Sequence, residues 1–319
     1  MESDTHHPLD NLDLQLLHAL QIDGRASFSR IAEVLGVSDR TVARRYERLR
    51  AAGKLRVTGA TDSDLSGAAE WVVRMRVLPH GTDDLARALA RRPDTTWVTA
   101  MSSGTEIACV FRVPDGGSAP LAALARNPQV RDVSAQQLLA QLMDGRWRGR
   151  TSALTGSQVD ALRPPHTDEA APVSLIDLDR ALVPALAVDG RATYPDLARR
   201  LGWSESAVRR RLEELRRAQV LRLEVEVEPG VFGYSTQCVL WLTVAPAKLI
   251  DVARALAADD EVAFIGAMTG VHNLIVIAVL RDSAALATYL TDRISTLNGV
   301  ERMEATPVTS YAKRTAPRH

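Results

Sequence analysis

Cysteine is nearly missing from this chain. Only Cys109 and Cys238 occur, far apart and each inside an apolar stretch. That spacing excludes a zinc site, which needs closely spaced ligand pairs, and a disulfide framework. Both cysteines read as small buried hydrophobes. Long apolar runs are missing too, since none reaches the roughly 20 residues that cross a bilayer. The opening "MESDTHHPLD" lacks the apolar core of a signal peptide. A soluble, cytoplasmic protein with no membrane partner is expected. Catalytic constellations are equally scarce. No paired carboxylates at a useful spacing, no nucleophile beside a base and no phosphate-binding glycine loop stand out. The expectation is a non-enzyme without catalytic residues, metal or cofactor. Excess charge of one sign is also missing, with 39 Lys and Arg against 39 Asp and Glu. A generic nucleic-acid coat would shift that balance.

Against this neutral background, "SDRTVARRYERLR", Ser38 to Arg50, places five arginines in thirteen residues. Val42, Tyr46 and Leu49 share one face of a 3.6-residue period, and Arg40, Arg44 and Arg48 share the opposite face. Ser38 is a good N-cap and Gly53 a good stop. One side is therefore built for burial, while the other carries guanidinium groups that can pair with phosphate or read guanine edges. Upstream, Leu12, Leu16 and Leu20 mark a first amphipathic helix. Asp23-Gly24 marks a turn, and Ile31, Val34 and Leu35 mark a second helix ended by Gly36. Three short helices with a tight turn before the third form the helix-turn-helix pattern, whose last helix enters the major groove.

The chain then repeats itself. Asp177 to Leu223 restates the first module at a constant offset of 166, so that Leu12, Leu16 and Leu20 become Leu178, Leu182 and Leu186. "DGRA" at Asp23 to Ala26 recurs at Asp189 to Ala192. The copies differ on the basic face: Arg40, Arg44 and Arg48 correspond to Ser206, Arg210 and Glu214, and Thr41 to Ala207. Arg209 and Arg211 restore charge at the flanks. His18 becomes Pro184, which removes a backbone hydrogen bond and is expected to bend its helix.

After each module, apolar runs rich in Val, Ile and Thr alternate with amphipathic stretches in the order βαββαβ. This order predicts a four-stranded antiparallel sheet with helices on one face. Trp71, Trp97 and Trp241 fall in the strands and are expected in the core or an interface. The fold class is α+β, with two winged-type helix-turn-helix modules, each followed by a βαββαβ ferredoxin-like sensor domain. The expected domains are 1–60, first helix-turn-helix; 61–143, first sensor; 144–173, linker; 174–225, second helix-turn-helix; and 226–312, second sensor and oligomerisation domain. Within the linker, "TGSQVDAL" reads as a short capped helix and "RPPHTDEAAPVS" as a flexible connection. The tail "AKRTAPRH" is expected to be disordered.

A module with "DGRASFSRIAEVLGVSDRTVARRYERL", a linking strand and a βαββαβ unit resembles the Lrp/AsnC (feast/famine) family of bacterial transcription regulators. "MTGVHNLIVIA", Met268 to Ala278, is similar to that family's ligand-loop signature, and "NGVERMEATPV" to its closing strand. The resemblance covers nearly the whole chain in two copies, as in a tandem fusion. It implies DNA contacts from Ser38, Arg40, Thr41, Arg44, Arg45 and Arg48, and from Ser204, Ser206, Arg209, Arg210 and Arg211. It implies an effector loop at Met268, Thr269, Gly270, Val271, His272 and Asn273. The first copy's counterpart runs from Met101 through Ser102, Ser103, Gly104 and Thr105 to Glu106. Asn273 replaces the family's acidic residue, and Ser103 stands where its glycine would be. The residues themselves fit either ligand loops or tight hairpin turns. The implied partners are double-stranded DNA and a small-molecule effector, an amino acid or related metabolite. Because the repeat tethers the second unit to the first, each chain is expected to form a pseudo-dimer, and such chains a homo-oligomer.

A second class shares the pattern. Some siroheme decarboxylases resemble this family's fold without binding DNA and hold a tetrapyrrole with His, Arg and Tyr; only His272 stands in the corresponding loop. A third option is a small-molecule-binding module without DNA binding, against which the two helix-turn-helix copies argue.

Overall fold

The structure, a computed structural model, describes residues 9–61, 68–114, 117, 119–143, 153–164, 173–218, 220–227 and 229–314. Most of the expected flexible connection and the last five residues of the tail lie outside the described residues. In the first copy, α1 (Asn11–Ile22), α2 (Phe28–Leu35) and α3 (Asp39–Ala51) lead into β1 (Leu55–Thr61). The first sensor follows as β2 (Ala68–Val77), α4 (Thr82–Ala90), β3 (Thr95–Met101), β4 (Glu106–Pro114), α5 (Leu121–Ala125) and β5 (Val130–Gln141). The short helix α6 (Gly156–Leu162) stands between the copies. The second copy repeats the order: α7 (Asp177–Val188), α8 (Tyr194–Leu201), α9 (Glu205–Arg217) and β6 (Leu221–Val227). Its sensor is β7 (Thr236–Val244), α10 (Leu249–Ala257), β8 (Val262–Met268), β9 (Leu274–Leu280), α11 (Ser283–Thr288) and β10 (Val300–Arg314).

These elements gather into two compact units that cut across the copies. One holds both helix-turn-helix modules, residues 1–65 and 150–232; the other holds both sensors, residues 66–149 and 233–319.

In the first unit the helices begin and end where the local chemistry requires. Ser38 accepts from the Thr41 amide and Ser204 from the Ala207 amide, both at 3.2 Å. Gly36 and Gly202 stop the second helix of each module at φ +67° and +71°, in the left-handed region that glycine adopts without steric cost. Val42, Tyr46 and Leu49 are buried with Leu16, Leu20 and Ile31, and Val208, Leu212 and Leu215 with Leu178, Leu182 and Leu186. Pro184 sits inside a helix that stays continuous from Asp177 to Val188. The helix α6 is no free linker element. Leu162 is fully buried in the first module's core, and Arg30 donates to the carbonyls of Ala161 and Arg163.

The strands β1 and β6 pair with each other, antiparallel, and Thr58 faces Glu224, its own counterpart in the repeat. A pseudo-two-fold axis therefore passes through the middle of this ribbon. The repeated "DGRA" turns complete the joint. Arg25 donates to the carbonyls of Gly190 and Ala192, and Arg191 returns the same bonds to Gly24 and Ala26, all at 2.7–3.0 Å. Each guanidinium also lies over an aromatic ring of the other module, Arg25 over Tyr194 and Arg191 over Phe28, at 4.8 and 4.7 Å. Burial, the largest effect, pulls both arginines below their ordinary pKa. Gly24 and Gly190 are needed for the approach, since a Cβ on Gly24 would stand 2.8 Å from Leu223 Cβ.

In the second unit each sensor forms the expected four-stranded antiparallel sheet, in the orders β3-β4-β2-β5 and β8-β9-β7-β10. The two sheets are not separate. The last strand of each copy runs on to pair with the edge of the other copy's sheet, β10 with β3 and β5 with β8, closing an eight-stranded barrel. Closure removes all four exposed edges. Trp97, Trp241, Met101, Met268 and Phe264 fill the barrel interior. Separate apolar clusters lie between each sheet and its own helices. Cys109 and Cys238 are buried thiols, and burial pushes Cys238 up to about 12. The tail expectation is corrected for Ala312 to Arg314, which belong to β10. There Lys313 donates to the Arg92 and Thr95 carbonyls. No helix among the described residues is long and apolar enough to cross a membrane.

Candidate nucleic-acid interface and sensor loops

The arginines of α3 divide into two groups. Arg40 and Arg44 are exposed, and among the described residues neither forms an ion pair. Arg45 and Arg48 turn back to α1 instead. Arg45 bonds Asp10 and Asp13, and Arg48 bonds Asp13 at 2.6 Å. Asp13 is 1% exposed, and its carboxylate also closes the capping box of α1 with Asp10. The joint contribution of Arg48 to a basic stripe is thus reduced, and Arg45 serves as an internal brace. Ser38 and Thr41 share a hydrogen bond between their hydroxyls at 2.8 Å, beside the start of the helix.

The second copy keeps the brace. Arg211, the counterpart of Arg45, is buried and bonds Asp179, the counterpart of Asp13, at 2.5 and 2.8 Å. That hydrogen bonding raises the Arg211 pKa above its usual value. Asp179 also accepts from the Ile176 amide at the start of α7. Arg211 therefore stands in the core rather than at the flank of the outer face, and it also meets Glu214 at 2.9 Å. Arg209 is exposed, pairs with Glu205 at 3.0 Å and lies 4.7 Å over the Tyr194 ring. Arg210 is exposed, with no ion pair among the described residues. Ser206 is exposed, and its hydroxyl is 3.2 Å from that of Ser204.

The sequence signal for the two braces was present. Asp13 and Arg45 recur as Asp179 and Arg211 at the offset that relates the cores. An acidic residue in the first turn of one helix and an arginine 32 residues on, kept in both copies, mark a tertiary pair. The arginines of "DGRA" carried the same kind of signal, since the turn itself requires no arginine.

The loop from Met268 to Asn273 is pinned on two sides. Thr269 exchanges two bonds of 2.9 Å with the Gln137 backbone, across the seam between β8 and β5. Asn273 holds the Val244 peptide with both ends of its amide, accepting at 2.9 Å and donating at 2.7 Å. Its hydrogen-bonding capacity is turned to its own sensor. Gly270 has φ +99°, and a Cβ there would stand 3.0 Å from Gln136. Val271 is 68% exposed at the tip, and Met268 is buried in the barrel. Thr243 donates to the Val271 carbonyl at 2.9 Å and meets His272 Nδ1 at 3.3 Å. A hydroxyl whose one proton is used in this way accepts from Nδ1–H, leaving His272 Nε2 toward Glu304 at 3.7 Å.

The first copy's loop is a 3₁₀ turn in which Ser102 and Ser103 take φ +49° and +55°. Such left-handed backbone costs a non-glycine residue roughly 1 kcal/mol. Glu106 at its end bonds Arg74 at 2.6 Å, and Arg74 bonds Glu304 through two nitrogens at 2.5 and 2.8 Å. The Arg74 guanidinium also lies 4.9 Å from the Trp241 ring centroid. Burial alone would lower the Arg74 pKa, but the bonds to Glu304 and Glu106 outweigh it and raise it. Its hydrogen bond to Arg74 holds the Glu304 carboxyl below the usual range. A line of polar contacts, Glu106, Arg74, Glu304 and His272, thus links the two loops.

The model of the AsnC-type helix-turn-helix domain matches residues 9–50 and 177–216, and that of the Lrp/AsnC ligand binding domain matches residues 237–317. Over 142 residues the chain is 31% identical to an uncharacterized HTH-type transcriptional regulator of Pyrococcus abyssi, covering 44% of this chain and 90% of that protein. It is 27% identical over 126 residues to the HTH-type transcriptional regulator LrpA of Pyrococcus horikoshii, covering 39% and 89%. The crystal structure of the siroheme decarboxylase NirDL superposes on 97% of this chain and 94% of its own, with a TM-score of 0.63. At 15% identity that likeness is one of fold.

Proposed function

The chain belongs to the Lrp/AsnC family of transcriptional regulators, and from that premise we propose that it binds specific duplex DNA sequences in response to a small metabolite. The observation that carries the DNA reading is the pair Arg40 and Arg44. They are exposed on a capped helix and carry no acidic partner among the described residues. An unpaired guanidinium keeps its full Coulombic attraction and its bidentate geometry for phosphate or a guanine edge. Ser38 and Thr41 stand at the N-terminal end of α3, the end that meets base edges in a helix-turn-helix. Arg210, with Ser204, Ser206 and Arg209 around it, forms the second reader. Arg45, Arg48 and Arg211 hold the readers in place by bracing α3 and α9 against α1 and α7.

The effector, an amino acid or related metabolite, binds at the second loop. Asn273 there is a scaffold residue, and Gly270 and Val271 form the exposed tip that the effector meets, with the half-buried His272 beside them. His272 offers Nε2, with the Glu304 carboxylate 3.7 Å away.

Selection of binding sites from random duplexes, followed by anisotropy titrations with and without amino acids, tests both parts. The expected result is an enriched sequence whose affinity changes when the effector is added. Absence of any preference over random duplex at fixed salt contradicts the reading. A visible absorbance band that appears when an iron tetrapyrrole is titrated in would instead favour enzyme chemistry on this fold.

A further inference from the structure

Resting on the DNA-binding reading, we infer that one chain is a complete two-armed reader and that its operator consists of two unlike, inverted half-sites. Three observations carry this. First, the modules meet as partners in a two-fold pair do. Thr58 faces its own repeat counterpart Glu224, and Arg25 and Arg191 exchange identical bonds. A two-fold interface uses the same patch on both sides, and here one chain supplies both patches. Second, both readers are intact as folded elements. Each begins on a serine cap, is braced by its Arg–Asp pair and sits on its own buried core. Third, their outer faces differ at the positions that meet DNA. Arg40, at the N-terminal end of α3, becomes Ser206, and Ala43 becomes Arg209; of the two exposed, unpaired arginines of α3 only Arg44 is kept, as Arg210.

The differences are chemical, not cosmetic. An arginine reads O6 and N7 of guanine with two donors, and a serine hydroxyl discriminates little among bases. Two identical chains forming such a joint would present identical faces and select a palindrome. Covalent linkage removes that requirement, because the second module is always the partner of the first. The α3 half-site carries guanine contacts from Arg40 and Arg44, and the α9 half-site is read by Arg210 and Arg209.

The test uses the full chain and the duplex enriched by selection. Two control duplexes are built from it, each a palindrome of one of its half-sites. The native duplex should bind one chain, by light scattering, and about tenfold or more tighter than the palindrome of the α9 half-site. Ser206→Arg, at an exposed position, should shift the α9 half-site preference toward that of α3, so that the α3 palindrome gains relative to the native duplex. Circular dichroism confirms that the variant is folded. A selected site that is itself palindromic, or one bound by two chains through α3 alone, overturns the inference while leaving DNA binding intact. No duplex binding at all would instead bring down the reading on which it rests.

Discussion

Side chains of one type do two different jobs in each reader, and neighbouring arginines separate them. Arg210 is exposed, whereas Arg211 is 8% exposed and holds Asp179, itself 2% exposed. Removing one partner of a buried pair strands the other, at a cost of about 3 kcal/mol. Arg211→Ala should therefore lower the thermal midpoint of the chain by several degrees, while Arg210→Ala leaves it unchanged and weakens only DNA binding. Thermal melts and anisotropy on the two variants check this. Equal melting points would place Arg211 outside the core. At Gly24 the constraint is steric. Gly24→Ala drives a Cβ into Leu223 and should destabilise the joint by about 1–3 kcal/mol, visible in a denaturant midpoint.

Which arginine would do which job was only half legible in the sequence. The 3.6-residue period located the buried face through Val42, Tyr46 and Leu49, because a helix is a local structure and its pattern is written in adjacent residues. The destination of Arg45 depends on Asp13, 32 positions earlier, and no local pattern records such a pair. Its recurrence as Arg211 and Asp179 was the one signal that could have marked it, and both arginines were expected on the DNA face instead.

At the scale of elements, the capped helices were readable and the strand partners were not. Ser38, Ser204, Gly36 and Gly202 punctuate the chain by chemistry that acts within three or four residues. The strands β1 and β6 find each other across 166 residues, and β10 and β5 close onto the other copy's edges. Period-two alternation marks a strand but does not name its neighbour. The helix α6 was expected as a short capped helix and is one, with Thr155 and Gln158 forming its capping box. Its docking was not expected. Gln158 donates to the Val34 carbonyl, and the Leu154 amide donates to His18. Leu162→Ala should cost about 2–4 kcal/mol and loosen α1 and α2 of the first module. Amide hydrogen exchange should show protection lost there and retained in α7 and α8. Uniform loss across both modules, or none, would contradict independent cores.

At the scale of the whole molecule, duplication has been turned inward twice, once into a joint of reading modules and once into a barrel of sensors. The barrel carries a pH signature. Arg74 lowers the Glu304 pKa, so the folded state holds its proton less tightly than the unfolded chain. The resulting stability is full above the unfolded glutamate pKa near about 4.3 and disappears as pH falls through the lower folded value. Glu304 is 42% exposed, so the contribution is below about 1 kcal/mol after solvent screening. Glu304→Gln should melt slightly lower than the parent at pH 7 and alike at pH 3. A gap that widens toward low pH would refute the assignment.

Sequence-specific binding by this chain depends most directly on Arg44 reading DNA. The direct measurement is the dissociation constant for the selected duplex and for a scrambled duplex, across a series of salt concentrations, for the parent and Arg44→Ala. Loss of a bidentate base contact should cost about 1–3 kcal/mol on the selected duplex, and loss of a phosphate contact should flatten the salt slope by about one. Arg44→Ala should bind more weakly, with a reduced preference for the selected duplex and an unchanged melting point. Coincident curves for parent and variant on both duplexes would contradict it.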